Sequence, residues 1–187
     1  MSEKVTTHYL DAARALQASG GIAIARTDTL YGILGRANDI EAVERMYRLK
    51  TRTPSKPPIV LIASIDQLYD TFDDTVIAFL QSQWPGPKSI ILPTSNAPEW
   101  IHRGTHSVAY RLPDAPELAE LIRQTGPLIA PSANPEGKTP AATTQEAIGY
   151  FGDNVDIYVD SGTVPAAIAP SQLLRYDIKT RTSERLR

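Results

Sequence analysis

Cysteine is absent from the 187 residues. That excludes disulfide frameworks, thiolate zinc sites and cysteine nucleophiles together. No segment approaches the roughly 20 apolar residues that span a bilayer. The opening Met1-Ser2-Glu3-Lys4 runs into a polar amphipathic stretch with no apolar signal region. A cytoplasmic protein without membrane contact is therefore expected. The common nucleotide and hydrolase signatures are missing as well: there is no G-x-x-x-x-G-K-[ST], no G-x-G-x-x-G after a strand, no H-E-x-x-H and no G-x-S-x-G. If ATP binds, another arrangement must hold its phosphates. Histidine is scarce. His102 and His106 stand four apart, a spacing that suits zinc on a helix, but Gly104 between them points to a loop. Structural or surface histidines are expected, His8 is read as a helix-surface residue, and no metal-ligand set is assigned. Neither sign of charge dominates, with 19 basic against 21 acidic residues. A net charge of −2 and 7% aromatic residues make a poor general nucleic-acid surface.

What is present suits one domain spanning residues 1–187. A chain of this length buries roughly 70% of the surface its unfolded form exposes, enough for a core without staples. Helical spacing of Leu10, Ala13, Leu16 and Gln17 predicts a helix over 7–19, stopped by Gly20-Gly21. Asp39 is placed to cap a helix running to Lys50, with Ile40, Val43, Met46 and Tyr47 on one face. Further helices are expected over 65–69, 75–83, 116–124 (with Pro116 in its first turn) and from a Thr143 cap to Phe151. Short apolar runs at 22–25, 59–62, 89–92, 107–112, 128–130 and 155–159 read as strands. Two more are placed near 172–175 and at the C-terminus. Alternating helices and strands imply an α/β sheet covered by helices, and hairpin-like neighbours make it mixed rather than purely parallel.

Three loops at strand ends hold more chemistry than a connector needs. Thr27-Asp28-Thr29-Leu30-Tyr31-Gly32 offers hydroxyls and a carboxylate for a small polar substrate, although Thr and Asp also bond their own backbone in turns. Lys50-Thr51-Arg52, stiffened by Pro54, Pro57 and Pro58, puts two cations on one side of an extended chain. Five basic residues (Arg45, Arg48, Lys50, Arg52, Lys56) occur there before the next acid, Asp66. Arg45, Arg48 and Lys50 are explained equally well as complements to a helix C-terminus; Arg52 and Lys56 are not. In Pro131-Ser132-Ala133-Asn134-Pro135-Glu136-Gly137, Ser132 and Asn134 share one side and supply uncharged donors and acceptors, or simply cap a turn.

These loops, in this order, resemble motifs of the YrdC family: its P-T-[DE]-T-x-Y-G-[LI], K-x-R and S-x-N. Trp84-Pro85-Gly86-Pro87-Lys88-Ser89 resembles W-P-G-P-x-T, Val108-Ala109-Tyr110-Arg111-Leu112-Pro113 resembles V-x-x-R-x-P, and Ala169-Pro170-Ser171 resembles a late P-S-[TE] element. Six such matches in register cover nearly the whole chain, whose length resembles the short TsaC type. The resemblance implies a twisted mixed β-sheet flanked by helices, with a basic concave cleft. It implies that Thr29, Arg111, Asn134 and Ser171 contact threonine, that Lys50, Arg52, Lys56 and Ser132 contact ATP, and that Tyr31 walls the cleft. Four positions depart from the pattern: Arg26 replaces proline, Leu61 stands where many members carry histidine, Gln172 replaces threonine, and Glu136 replaces a frequent serine.

The activity implied is synthesis of threonylcarbamoyl-adenylate for tRNA modification. The amine of threonine adds to carbon dioxide or bicarbonate, and the carbamate displaces pyrophosphate from the α-phosphate of ATP. Lys50 and Arg52, with Mg²⁺ on the departing pyrophosphate, are the expected catalytic groups, and the product is handed to tRNA-modification proteins. Two alternatives stand beside it: a non-catalytic module binding RNA backbone in the basic cleft, and a remnant that binds only threonine or ATP.

Overall fold

Period-two alternation along the short apolar runs sends their side chains to opposite faces of a sheet. The computed structural model describes residues 4–187; Met1 to Glu3, read above as free of an apolar leader, lie outside the described residues. Among the described residues the strands are β1 (Val5–Thr6), β2 (Ala23–Arg26), β3 (Tyr31–Arg36), β4 (Ile59–Leu61), β5 (Lys88–Pro93), β6 (Ser107–Arg111), β7 (Leu128–Ile129), β8 (Ile157–Val159), β9 (Gln172–Asp177) and β10 (Thr182–Arg185). They form one ten-stranded sheet in the order β1-β8-β2-β3-β7-β4-β6-β5-β9-β10. Pairs β1/β8, β2/β8, β4/β6 and β5/β9 are parallel, and the remaining neighbours are antiparallel. The expected mixed sheet is what forms.

Ile24, Ile33, Val60 and Ile62 enter one core cluster, while Ala23, Ala25, Leu34 and Leu61 enter another. The helices are α1 (Asp11–Gln17), α2 (Ile40–Lys50), α3 (Asp74–Gln83), α4 (Glu99–His102), α5 (Pro116–Thr125) and α6 (Thr144–Phe151). The first cluster takes Val43 and Met46 of α2, Leu80 of α3, Ile101 of α4 and Phe151 of α6. The second takes Leu16 of α1 and Leu118, Leu121 and Ile122 of α5. Layers of helix on both sides of a sheet follow directly from that alternation.

The caps behave as their side chains dictate. Asp39 Oδ1 accepts from the Glu41 and Ala42 N–H groups, and Thr143 Oγ1 accepts from Glu146 N–H. Pro116 occupies the first turn of α5. Several expectations need correction. Leu10 and Ile40 precede or open their helices and are 45% and 46% exposed, so the buried stripes are Ala12-Ala13-Leu16 and Val43-Met46-Tyr47. His8 lies exposed just before α1 rather than on it. The segment 65–69 makes only a 3₁₀ turn, Ile65–Gln67. The two-residue β1 and four-residue α4 are too short for any periodicity to reveal. His102 closes α4 and is buried, stacked on His106 with ring centroids 5.0 Å apart.

Two glycines test the packing. A Cβ on Gly21 would lie 2.0 Å from the Ala15 carbonyl oxygen, whereas one on Gly149, inside α6, meets nothing within 4 Å. Gly21→Ala is expected to destabilise the fold by at least about 2 kcal/mol. Gly149→Ala is expected to stabilise it by about 0.5–1 kcal/mol through helix propensity. Urea unfolding curves of the two variants check both signs.

Candidate active site

The hairpin turn between β2 and β3 is closed by Thr27, whose N–H and hydroxyl both donate to the Leu30 carbonyl at 2.9 Å. Thr27 Oγ1 also accepts from Thr29 N–H at 3.2 Å and sits 3.0 Å from Thr29 Oγ1. This threonine turn holds Thr29 at the sheet's end, where it borders a hollow and its hydroxyl also accepts from Arg111 Nη1 at 3.4 Å. Beside it runs the 131–140 loop: Ile33 N–H donates to Pro131 O, Ala133 N–H donates to Tyr31 O, and Gly32 bridges Ser132. A Cβ added at Gly32 would only touch Thr27 Cγ2 at 3.4 Å and Pro131 O at 3.5 Å, so that approach has little room to spare without forbidding a small side chain.

The end of α2 joins the same loop. Thr51 ends the helix in the left-handed region at φ 48°. Lys50, 2% exposed, turns inward. Its ammonium donates to Ser132 O, to Asn134 O at 2.6 Å and to Asn134 Oδ1 at 3.3 Å. In return Glu136 N–H donates to Lys50 O at 2.7 Å. Burial, and then the neighbouring Arg52 charge, pull the Lys50 ammonium down to about 8, with Glu136 opposing. Ser132 Oγ donates to Asn134 Oδ1 at 2.6 Å, and Asn134 Nδ2 donates to Pro135 O and Lys138 O. The basic pair and the hydroxyl–amide pair, 80 residues apart in sequence, therefore meet in one structure.

Five of the expected site residues line a cavity of about 280 Å³: Thr29, Arg52, Arg111, Ser132 and Ser171. Tyr31 walls it as expected. Lys50, Asn134 and Lys56 do not line it. Lys50 and Asn134 are spent on shaping the loop, and Lys56, on the exposed side of its own turn, pairs its ammonium with Glu136 Oε1. Arg52 Nε and Nη2 rest on the carbonyls of Lys56 and Pro57 at 3.2 and 3.1 Å. Arg52 also borders an adjoining hollow of about 790 Å³. Besides Arg52 both hollows share Ile59 and one further cation, neither of them among the expected site residues. Arg187, the last of the chain, is returned by the β9/β10 hairpin and bonds Ser171 O through Nε and Nη2 at 3.3 and 3.1 Å. No local pattern marks it, because only strand pairing brings it back. Ser171 is held by Ser89 Oγ at 3.0 Å, a second contact invisible in one dimension.

The charge balance of the hollow is lopsided. Among the described residues Arg52, Arg111 and Arg187 line it and no acid does. Asp28 lies behind Arg111, with Nε to Oδ1 3.3 Å, and both side chains are 4% exposed. Burial pushes the Arg111 guanidinium below the ordinary arginine range; Asp28 opposes that shift and Arg187 adds to it. Three guanidinium groups, with Thr29, Ser132 and Ser171 hydroxyls between them, make a receptor for anionic, hydrogen-bonding ligands. The departures lie around this receptor rather than in it. Leu61 is fully buried in the core with Leu118 and Leu128, and Glu136 latches the two loops through Lys56 and Thr53 N–H.

A helix-flanked mixed sheet with this arginine-lined pocket at its strand ends defines an α/β protein whose cleft chemistry suits anionic ligands. The chain belongs to the Sua5/YciO/YrdC family: residues 15–185 match the model Sua5_yciO_yrdC, described as telomere recombination. It is 34% identical to the threonylcarbamoyl-AMP synthase of Marinobacter nauticus, over 93% of this chain and 95% of that one. It is 35% identical to the threonylcarbamoyl-AMP synthase of Pseudomonas fluorescens, over 86% and 88%. Among solved structures it is similar to P. abyssi Sua5 complexed with L-threonine, with a TM-score of 0.84 and 27% identity over 96% of this chain. The match spans about half of that longer chain, 53%.

Lys50→Met removes the donor from the buried Asn134 carbonyl, while the Ser132 carbonyl keeps Asn134 N–H, and one unsatisfied buried group costs about 1–3 kcal/mol. Loss of stability by that amount is expected, together with faster amide hydrogen exchange at Ala133 and Ala141. Glu136 behaves differently with pH. Lys56, and then the Thr53 N–H, hold its carboxyl down to about 2, below its ordinary value of 4.5. Its latch is therefore complete above the ordinary carboxylate range and is lost as pH falls through about 2. Glu136→Gln is expected to flatten that acid dependence, followed by hydrogen exchange at Thr53.

Proposed function

We propose that the chain, acting as one YrdC-like domain, is an L-threonylcarbamoyladenylate synthase. It forms threonylcarbamoyl-AMP, pyrophosphate and water from L-threonine, bicarbonate and ATP. The observation that carries this reading is the convergence of Arg52, Arg111 and Arg187 with three hydroxyls on one hollow. All three substrates present carboxylate, bicarbonate or phosphate oxygens, so the barrier a protein can lower is repulsion among anions.

Threonine is placed with its carboxylate at Arg111 and its polar groups at Thr29 and Ser171, with Asn134 acting through the loop it shapes. The nucleotide is placed with its phosphates at Arg52, with Ser132 beside them. The 280 Å³ cavity lies at the lower edge of the roughly 300–1,000 Å³ range of ligand sites. The adjoining 790 Å³ hollow gives a larger substrate room to extend past Arg52. Arg52 and Arg187 then stabilise charge building on the departing pyrophosphate, and no covalent nucleophile is required. Lys50 serves by fixing the Ser132–Asn134 loop. Lys56 reaches phosphate on release from Glu136. Mg²⁺ belongs to the nucleotide substrate and would ease charge on its phosphates. Among the described residues no three His, Asp or Glu side chains group to hold a metal, and Mg²⁺ commonly keeps its ligands among phosphates and waters.

Among the described residues no helix is long and apolar enough to cross a membrane, in keeping with action in the cytoplasm on a tRNA-modification route. The mixed anhydride product is reactive, which favours prompt transfer to a partner protein. Choice of threonine over serine rests on one methyl, worth roughly 1–3 kcal/mol, so serine is a weaker substrate rather than an excluded one.

Pyrophosphate release that requires threonine and bicarbonate together tests the reading. Arg52→Ala is expected to lower turnover on the order of 10²–10³-fold, by analogy with loss of one oxyanion donor. Unimpaired turnover in that variant sinks the assignment of the phosphate site. Steep salt-dependent RNA binding with no such turnover in the native protein favours the non-catalytic module instead.

A further inference from the structure

The ion pair beneath the cavity is poorly bonded for its depth. Arg111 Nε and Asp28 Oδ1 stand 3.3 Å apart without hydrogen-bond alignment. Among the described residues neither Asp28 oxygen nor Arg111 Nε has a hydrogen-bond partner. Buried polar atoms normally find partners, and each exception calls for a reason. Asp39 shows what an aspartate at a turn ordinarily does here: it accepts from the N–H groups of Gly20, Glu41 and Ala42. Asp28 accepts from none of its neighbouring amides, because Thr27 already closes that turn. Its carboxylate thus does no local backbone work, and what it faces is Arg111.

Arg111 has five N–H donors in a rigid plane. The Nε edge faces Asp28, and Nη1 stands 3.4 Å from Thr29 Oγ1. Arg111 and Thr29 line the cavity, while Asp28 does not. We infer that Asp28 is a positioning residue, which holds Arg111 by its Nε edge so that the outer guanidinium N–H groups meet the carboxylate of an amino-acid substrate. This rests on the placement of threonine at Arg111 proposed above. Arginine keeps its proton even when buried, so losing its counter-ion shows as a swing of the side chain toward other acceptors rather than as neutralisation. Arg187, close enough to repel Arg111, adds to that swing.

The sign of one change separates positioning from simple charge balance. By Coulomb's law alone Asp28 repels an incoming carboxylate, so Asp28→Asn would tighten threonine. Positioning demands the reverse. The test compares kcat/KM for L-threonine with that for L-threoninamide, which lacks the carboxylate. Their ratio does not depend on the fraction of folded enzyme. In Asp28→Asn the preference for threonine is expected to fall about tenfold or more, with KM for ATP within about twofold and Asp28→Glu retaining most of the preference. An unchanged or increased preference in Asp28→Asn overturns the inference, as does a native enzyme that does not distinguish acid from amide. If Asp28→Asn and Asp28→Ser both lack a cooperative melting transition, the carboxylate serves the fold and the inference is likewise overturned. If the native protein releases no threonine-dependent pyrophosphate, the synthase reading fails separately. Calorimetric affinities for threonine and threoninamide in the same variants then decide the role of Asp28.

Discussion

The joint between two of the loops around the site depends on one buried ammonium. Lys50 lies at the last turn of α2, where cations are favoured by the helix dipole, yet its charge is spent on the carbonyls of Ser132 and Asn134 rather than on the helix end. Three N–H donors on a flexible stem suit that task, because they satisfy oxygens arranged around a point. The outcome is a rigid joint between two loops that approach from different strands. Ser132 is thereby held at the cavity wall, and Arg52, two residues on from Lys50, reaches the same cavity while resting on the Lys56 and Pro57 carbonyls. Lys50, expected at the phosphates, has its ammonium on loop carbonyls, and Arg52 is the member of the pair that lines the cavity.

Around that frame the chain separates charge from hydrogen bonding. The guanidinium groups of Arg52, Arg111 and Arg187 come from a loop, a strand end and the C-terminus, while the hydroxyls of Thr29, Ser132 and Ser171 come from three other segments. Two neighbouring carboxylates are engaged off the cavity lining: Asp28 beside Arg111, Glu136 on Lys56. A hollow arranged this way keeps its field for the ligand, since protein acids do not fill the donors first. A protein of net charge −2 thus holds a strongly positive pocket, because field is set by local placement and not by the total.

The positions at which the chain departs from its family's pattern fall into different physical classes. Leu61 has joined the packed layer with Leu118 and Leu128, where a histidine would need a partner for its ring nitrogens. Glu136 has created an interloop latch through Lys56 and Thr53. Gln172 is exposed at the start of β9, with its N–H on Pro87 O. Arg26 ends β2 and lends its carbonyl to Tyr9.

Local chemistry was enough to read much of the molecule directly. Asp39 and Thr143 announced helix starts because a short oxygen-bearing side chain satisfies orphan N–H groups wherever it precedes an apolar period. Alternating small and branched apolar residues announced buried strands, and the three polar loops announced segments that come together around one cavity. Interactions that are short in sequence leave such marks in composition and spacing. The inward turn of Lys50, the return of Arg187 across the β9/β10 hairpin, the Ser89–Ser171 contact and the pairing of Asp28 with Arg111 left none. Each joins segments more than ten residues apart, most of them about eighty. Which of several similar cations faces the hollow and which is consumed in building it depends on distances that exist only after the sheet has closed. Tertiary structure alone decided that, because an ion pair or hydrogen bond is selected by geometry within an ångström, and sequence separation does not encode it.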